Sequence, residues 1–415
     1  MGVVDPKVPL PRRERADRAS PSHLRLGVVG LAVLLTLAAF LTMRVAGPLL
    51  DALDHWSADL RTAFFTYKLE SAHPSVALVY INEDAIEQAQ KDGPARYMSP
   101  VDRGLVAHLV DRLDGLGAKA IGIDLVVDQP SEAAKDAALL AAIRRAKAHV
   151  VMARLDLGEG RALATPSQAA YHSAFIGTMG RASGYVTVKS DMDGVVRARP
   201  STGTDGAATF AEEIAKAGGW DRGGNPSFAT TASDRIAWLQ APADDSTTFV
   251  TLSAQLLMAP PDKLGGLEKQ TLAEVAGKLV IVGVRLIDGT DKHKTPLGNS
   301  IDELTPGPEI NAHVAAQLVD GRRYLSLTRP AEVVLWFVTA LFGIVVSSRW
   351  PDSVGRTGSL LYGVFLGGSA MIFWWSKLIL PFAAPSLIWG GAVLAGWLLR
   401  RRGGVASDAA KGSLS

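Results

Sequence analysis

The chain has 415 residues, of which 48% are hydrophobic and 20% are charged, a charged fraction below the roughly 25% of an average soluble protein. The net charge of +2 gives no reason to expect nucleic acid as a partner, and the absence of cysteine excludes thiol catalysis, cysteine-ligated zinc, iron–sulfur clusters and disulfides. Apolar residues concentrate toward both ends of the chain. This segregation predicts a membrane protein with a large polar middle section and no cofactor.

The first apolar segment, residues 26–44, follows a basic tail at residues 1–25 and carries no charge before Arg44. A helix of this length spans about 27 Å, enough to cross a bilayer core with snorkelling ends. A cleaved signal peptide is the competing interpretation, but Arg44 stands where a cleavage site needs a small residue. We therefore expect an uncleaved membrane anchor.

Three more apolar segments lie near the other end, at residues 331–347, 358–375 and 378–399. Lysine and arginine are concentrated in the N-terminal tail, in the connection between the first two of these segments, and in residues 400–415. The positive-inside rule then predicts four transmembrane helices with both termini in the cytoplasm. Residues 45–328 would be periplasmic or extracellular, and the chain would lie in a bacterial cytoplasmic (inner) membrane.

The middle section alternates predicted strands and helices, which is typical of an α/β domain with a largely parallel sheet. It begins with an amphipathic helix near residues 49–67, and residues 199–251 read as an inserted or looser region around one helix. The expected strands are residues 76–81, 119–127, 149–153 and 277–283, and the expected helices are residues 101–116, 131–147, 210–217 and 308–320.

An ordered series of short motifs runs through this section. They are Trp56 with Asp59 and Arg61, Asp102-Arg103, KAIGID at residues 119–124, DGVVR at residues 193–197, GKLVIVG at residues 277–283, TPLG at residues 295–298, and PGPEINAH at residues 306–313. The series resembles the CHASE2 family of bacterial extracytoplasmic sensory domains over about residues 45–325. Three membrane helices after the domain also match the usual layout of that family.

The resemblance implies an input module that commonly precedes a histidine kinase, a nucleotide cyclase, a serine/threonine kinase or a diguanylate cyclase. Here only the sixteen residues 400–415 follow the last apolar segment, and we expect no output domain in them. A signal would then pass to a separate partner. Within the motifs, Asp193 and Arg197 are placed to pair across a tight turn, and Trp56, Asp59 and Arg61 belong to the predicted stalk helix.

Asp124 and Asp128 follow a predicted parallel strand, at the edge where open α/β sheets form their ligand crevice. Two carboxylates there suit a cation, a basic ligand or acid–base chemistry. The alternative is that Asp124 caps a helix or accepts hydrogen bonds from loop amides.

A polar loop follows the strand at residues 277–283, and it would face the same crevice if the two strands are neighbours. A solvated loop is the alternative interpretation. Glu309 and Asn311 begin the last helix, where helix capping explains them about as well as ligand binding. The candidate ligand-binding residues outside Asp124 and Asp128 are therefore Asp288, Asp291, His293, Thr295, Glu309 and Asn311.

Signatures of metalloproteases, P-loop NTPases and serine hydrolases are missing from the sequence. The leading hypothesis is thus a non-enzymatic membrane sensor or receptor component that binds a ligand or protein partner and acts through a separate protein. The alternative is a scaffolding envelope protein whose exported domain self-assembles. The expected partners are the lipid bilayer and either further copies of the chain or another envelope or signalling protein.

Overall fold

In the computed structural model of the chain, residues 21–412 are described except 92–100, 156–164, 203–204, 222–226, 228, 245, 288, 290, 299–303 and 351–353. The helices are α1 (Pro21–Val45), α2 (Gly47–Phe65), α3 (Glu83–Lys91), α4 (Arg103–Gly115), α5 (Ala133–Arg145), α6 (Pro166–Met179), α7 (Phe210–Ala217), α8 (Ala254–Met258), α9 (Gly266–Ala273), α10 (Gly307–Val319), α11 (Arg329–Arg349), α12 (Val354–Ser376) and α13 (Ala383–Gly412). The strands are β1 (Tyr67–Lys68), β2 (Val76–Ile81), β3 (Ala120–Ile123), β4 (His149–Arg154), β5 (Ala182–Tyr185), β6 (Thr230–Ala232), β7 (Leu239–Gln240), β8 (Val250–Ser253), β9 (Leu279–Val284), β10 (Lys292–His293), β11 (Thr305–Pro306), β12 (Leu325–Leu327) and β13 (Leu378–Ile379).

The chain divides into two compact units. The membrane-helix unit comprises Met1–His55, Thr328–Gly368 and Pro381–Ser415. The α/β unit comprises Trp56–Leu327 and Ser369–Leu380.

The α/β unit is built on a six-stranded sheet in the order β5-β4-β3-β9-β2-β8, in which every neighbouring pair is parallel. The central strands are continuous apolar runs because both faces of the sheet are covered. In β2, Ala77, Val79 and Ile81 enter one hydrophobic core, while Val76, Leu78 and Tyr80 enter the other. The predicted α/β class with a largely parallel sheet is confirmed.

Helices cover the two faces of this sheet. The first core packs one face against α4 and α5, together with parts of α6 and α8. The second core packs the other face against α7 and α10, and α10 is buried along nearly its whole length. Because α10 starts at the carboxyl end of the sheet, its first turn lies beside the loops that follow the strands.

The predicted bounds of some helices and strands agree with the observed bounds, whereas other elements were not predicted. Strand β2 and helix α7 have the predicted bounds, and α4 begins at Arg103 because the side chain of Asp102 accepts the N–H of Leu105 as its N-cap. Residues 199–251 are more regular than expected, since they contain β6 and β7 and lead into β8, an edge strand of the main sheet.

Among the described residues, three helices are long and apolar enough to cross a membrane: Gly27–Val45, Arg329–Arg349 and Gly355–Ser376. The fourth predicted segment, residues 378–399, is divided differently. Leu378–Ile379 form β13, which pairs with β12 in the α/β unit, and the apolar part of α13 covers only Ala383–Leu398. Helices α1, α11 and α13 share a hydrophobic cluster rich in alanine, and Gly343 of α11 lies close to Ala392 of α13.

Candidate functional site

A crevice of about 460 Å³ opens at the carboxyl ends of β3 and β9. These two strands are hydrogen-bonded neighbours, so the loops that follow them meet at one edge of the sheet. The first turn of α10 and the segment after β5 complete the walls. The lining residues that matter chemically are Asp124, Asp128, Val186, Val188, Val284, Arg285, Asp291, Lys292, Gly307 and Asn311.

Asp124 occupies the inner wall, directly after β3. Its backbone N–H donates to Val282 O at 2.8 Å, which extends the β3–β9 ladder by one residue and fixes the direction of the side chain. Burial raises the pKa of the Asp124 carboxyl to about 7, with a further rise from the charge of Asp291 and an opposing effect of the hydrogen bond from Asn311. Asp124 therefore changes charge near neutral pH.

Asn311 faces Asp124 from the start of the second turn of α10. Its Nδ2 donates to Asp124 Oδ2 at 2.9 Å, although the two residues are 187 positions apart in sequence. The side chain is 1% exposed, and its Oδ1 has no hydrogen-bond partner among the described residues. A buried acceptor without a donor costs about 1–3 kcal/mol, so this atom is a place where a ligand donor gains affinity.

Two glycines let the backbone approach closely here. A Cβ atom on Gly283 of β9 would lie 2.2 Å from Pro308 Cγ, so glycine is what allows the start of α10 to rest on the sheet. A Cβ atom on Gly307 would lie 2.3 Å from Asp291 Oδ2. Glycine at this second position therefore lets the Asp291 carboxylate lie against the beginning of the helix.

The loop after β9 folds back onto α10 through the short β10–β11 ladder, which pairs Lys292 with Pro306 and His293 with Thr305. Asp291 O accepts the N–H of Gly307 at 3.2 Å, and Asp291 Oδ1 lies 2.9 Å from His293 Nε2. Thr295 Oγ1 lies 3.2 Å from Thr305 Oγ1. His293 and Thr295 thus stabilise the rim, while Asp291 reaches the crevice itself.

The cationic and acidic side chains of the outer wall already have partners. The Arg285 guanidinium lies 5.3 Å from the centre of the Tyr80 ring, and Lys292 Nζ donates to Ile287 O at 2.5 Å. Tyr80 donates to Glu309 Oε2 at 3.2 Å, and burial raises the pKa of its hydroxyl. Asp128 Oδ2 accepts a 2.7 Å hydrogen bond from Gln168 Nε2 on α6.

Some of the predicted ligand-binding residues lie together in the crevice. Asp124, Asp128, Asp291 and Asn311 line it, and Glu309, two residues before Asn311 on α10, accepts a hydrogen bond from Tyr80. His293 and Thr295 are at the rim, as described above, and Asp288 lies outside the described residues.

Sequence reasoning missed the apolar wall formed by Val186, Val188 and Val284, and also missed Arg285 and Lys292. The alternation of valine with polar residues after β5 was an available signal for the first two of these. Among the described residues, no group of three or more histidine and acidic side chains is arranged to hold a metal ion.

The DGVVR motif forms a charged cluster whose residues are not among those that line the crevice. Arg197 is 4% exposed, and its guanidinium donates to Asp193 at 2.6 and 2.8 Å, to Asp191 at 2.8 Å and to Asp59 of α2 at 2.8 Å. Although burial opposes its charge, these three carboxylates raise the pKa of Arg197, and Arg197 lowers the pKa of Asp193 to about 2. Arg235 also pairs with Asp59, so the cluster fastens α2 to the loops beneath it.

The other two motif residues of α2 differ in their surroundings. Arg61 is buried, donates to Ser57 O at 3.0 Å and reaches Leu380 O at 3.0 Å beside β13. Trp56 is 56% exposed. Arg61 therefore stabilises the α/β unit, whereas the exposed ring of Trp56 contributes little to that unit's core.

Comparison with known proteins gives one result. The family model described as the CHASE2 domain matches residues 32–348, from α1 to the last turn of α11. No curated protein and no solved structure matches the chain. Because the matched region covers well over half of the 415 residues, the chain belongs to the CHASE2 family of sensory domains.

Proposed function

We propose that this protein is a membrane-anchored sensory component whose α/β unit binds a small ligand in the crevice between the β3 and β9 loops and α10. The observation that carries the proposal is the crevice itself, with Asp124 and the unpartnered Asn311 Oδ1 on its inner wall. Membership in a sensory family supports it. So does the position at the carboxyl edge of a parallel sheet, where α/β proteins bind their ligands.

The proposed topology has the α/β unit in the periplasm or outside the cell and both termini in the cytoplasm of a bacterium. Three helices of sufficient length and the basic residues that flank them support this arrangement. We assign the fourth crossing to Ala383–Leu398 of α13. These 16 residues span about 24 Å as a helix, a length that a bilayer accommodates by local thinning.

The proposed action is binding without catalysis. The described part of the crevice wall offers carboxylates, an amide and two cations, with no serine or histidine to serve as a nucleophile and its base. Signal output would belong to a separate partner protein or to a second copy of the chain. We propose that ligand binding changes the conformation of the α/β unit and that contacts with such a partner and with the bilayer transmit this change.

Helix α10 is the element best placed to carry that change. Its N-terminal half supplies Asn311 to the crevice, and farther along Gln317 Oε1 accepts the N–H of Ala237 at 2.8 Å. The chain continues from α10 through β12, which pairs with β13, and then directly into α11. Tyr324, just before β12, shares a 2.5 Å hydrogen bond with Thr66 beyond the end of α2. A shift of α10 would therefore reach β12, β13 and Thr66, the segments through which the chain connects to α11, α12, α13 and α2.

His313 holds α10 in place through a buried hydrogen bond and two aromatic contacts. It is 2% exposed, its Nδ1 accepts the N–H of Leu239 at 3.3 Å, and its ring packs edge-on against Trp238 and Phe249. Burial lowers the pKa of His313 to about 3, so the ring stays neutral in any physiological medium.

A thermal-shift screen of the full chain in lipid nanodiscs tests the proposed function. We expect small molecules that raise the melting temperature, and we expect Val186→Trp, which fills the crevice, to abolish their effect. Met192→Trp is the matched control, because Met192 is 96% exposed and does not line the crevice. A stabilising effect that persists in Val186→Trp would place the ligand site outside the crevice, and a large assembly that no small molecule stabilises would support scaffolding rather than sensing.

A further inference from the structure

The inner wall of the crevice presents hydrogen-bond acceptors at its most buried point. The Nδ2 of Asn311 donates to Asp124, and Oδ1 of this 1% exposed side chain has no partner among the described residues. From the same described part of the chain, the Asp124 carboxylate receives one side-chain hydrogen bond, on Oδ2. An occupant of this point must therefore bring donors rather than acceptors.

The wall also favours one kind of donor. Asp124, Asp128 and Asp291 all line the crevice, so the occupant should carry positive charge. A divalent metal is disfavoured, because no described group of three acidic or histidine side chains has metal-binding geometry. An ammonium group instead places three N–H donors on one atom and suits a carboxylate beside an amide oxygen.

The opposite wall is apolar. Val186 and Val188, after β5, and Val284, at the end of β9, line the same cavity of about 460 Å³. Burying methylene groups against them contributes about 0.8 kcal/mol per group. A ligand that carries a short aliphatic chain on its ammonium group would use both walls.

We propose that the crevice binds a protonated primary amine with a short aliphatic chain, its ammonium group held between Asp124 and Asn311 Oδ1. This inference rests on the proposed function and adds the chemical class of the ligand. Arg285 and Lys292 also line the crevice and offset part of its negative charge, but three carboxylates outnumber these two cations, of which the first stacks on Tyr80 and the second donates to Ile287 O.

The charge state of Asp124 links this binding to pH. With a pKa near 7 in the empty crevice, the carboxyl is mostly protonated at pH 6 and mostly ionised at pH 8. An alkyl amine stays protonated across this range, so its affinity should fall about tenfold from pH 8 to pH 6. The titratable and charged groups that face Asp124 or line the same walls are Tyr80, Asp128, Arg285, Asp291, Lys292 and Glu309.

Isothermal titration of the full chain in phosphatidylcholine nanodiscs tests the proposal with n-butylammonium chloride as the probe. We expect n-butylammonium to bind, and n-butanol, sodium butyrate and magnesium chloride to show no measurable binding. Asp124→Asn and Asn311→Leu should each weaken n-butylammonium roughly tenfold to a hundredfold. Asp84→Asn, an exposed aspartate of α3, is the matched control and should leave the affinity unchanged.

A second lipid identifies the source of the amine. If phosphatidylethanolamine in the nanodisc competes with n-butylammonium, the natural ligand is a lipid headgroup; if it does not, the ligand is a free amine. Both outcomes keep the ammonium site.

Failure of this inference and failure of the proposed function are distinguishable. Binding of butyrate or butanol that Val186→Trp abolishes would overturn the amine while keeping the ligand crevice. Absence of n-butylammonium binding would overturn the amine as well, and the compound screen then decides separately whether the crevice binds anything. If Asp124→Asn fails to fold, Asn311→Leu and the pH dependence of the wild-type affinity still decide the question.

Discussion

Asp124→Asn changes one oxygen of a buried carboxyl to nitrogen and removes its ability to ionise. Asparagine has nearly the same shape, so the packing against α10 is retained. The structure raises the pKa of Asp124 from 3.8 to about 7, chiefly through burial. The folded protein therefore holds this proton more tightly than the unfolded chain does.

The sign of the effect on stability follows from that difference. Stabilisation from the protonated Asp124 is fully present below pH 3.8 and is lost as the pH rises toward 7, because the unfolded chain ionises first. The loss is about 1.4 kcal/mol per pH unit, or about 2.7 kcal/mol between pH 4.5 and pH 6.5. Asparagine does not titrate, so the variant gains that amount relative to wild type over this interval.

Hydrogen exchange of the β3 and β9 amides in the full chain measures this difference, since these strands lie inside the sheet. The ratio of protection factors, variant over wild type, should rise about a hundredfold between pH 4.5 and pH 6.5. Asp84→Asn controls for charge removal at an exposed site and should show a constant ratio. A constant ratio for Asp124→Asn as well would refute the burial of the carboxyl in the crevice wall.

Three other predictions concern packing, the charged cluster and topology. Gly283→Ala should lower stability by about 1–3 kcal/mol in thermal unfolding, because its Cβ would lie 2.2 Å from Pro308 Cγ; an unchanged melting temperature would contradict the close contact. In chemical unfolding, Arg197→Met should cost about 1.5–3 kcal/mol, since Asp191 and Asp193 lose the cation that they share while Asp59 keeps Arg235. Asp193→Asn should cost only about 1 kcal/mol, because that side chain is 55% exposed; equal costs would argue against the cluster. A single cysteine at Met192 should react with a membrane-impermeant maleimide in intact spheroplasts, whereas one in the N-terminal tail should react only after lysis, and the reverse pattern would overturn the proposed topology.

The sheet edge could be predicted from sequence because its strands are strongly apolar. VALVYI at β2 and LVIVGV at β9 are continuous buried runs, and such runs in α/β proteins are central parallel strands. Ligand crevices of α/β proteins form at the carboxyl ends of neighbouring parallel strands. Asp124 and the loop after β9 therefore share one crevice, because β3 and β9 are neighbours in the sheet. Strand β5, ASGY, gave no comparable signal, because it lacks β-branched residues and is stabilised by pairing with β4.

Other features depend on contacts that no local pattern contains. The hydrogen bond from Asn311 to Asp124 joins residues 187 positions apart and exists only because Gly283 admits Pro308. Hydropathy alone merged Leu378–Ile379 with the following helix, whereas these residues pair with β12. Backbone hydrogen bonding thus decided the boundary of the last apolar segment, and average hydrophobicity did not.

Protection of a cysteine inside the crevice tests the central claim most directly, because the natural chain has no cysteine to interfere. Full-length Val186→Cys in nanodiscs would be reacted with a maleimide, first alone and then with n-butylammonium and every compound that raises the melting temperature. The account predicts that binding slows labelling at position 186 and leaves labelling of Met192→Cys unchanged. If compounds stabilise the protein while both cysteines react at their original rates, the ligand binds elsewhere and the crevice is not the sensory site.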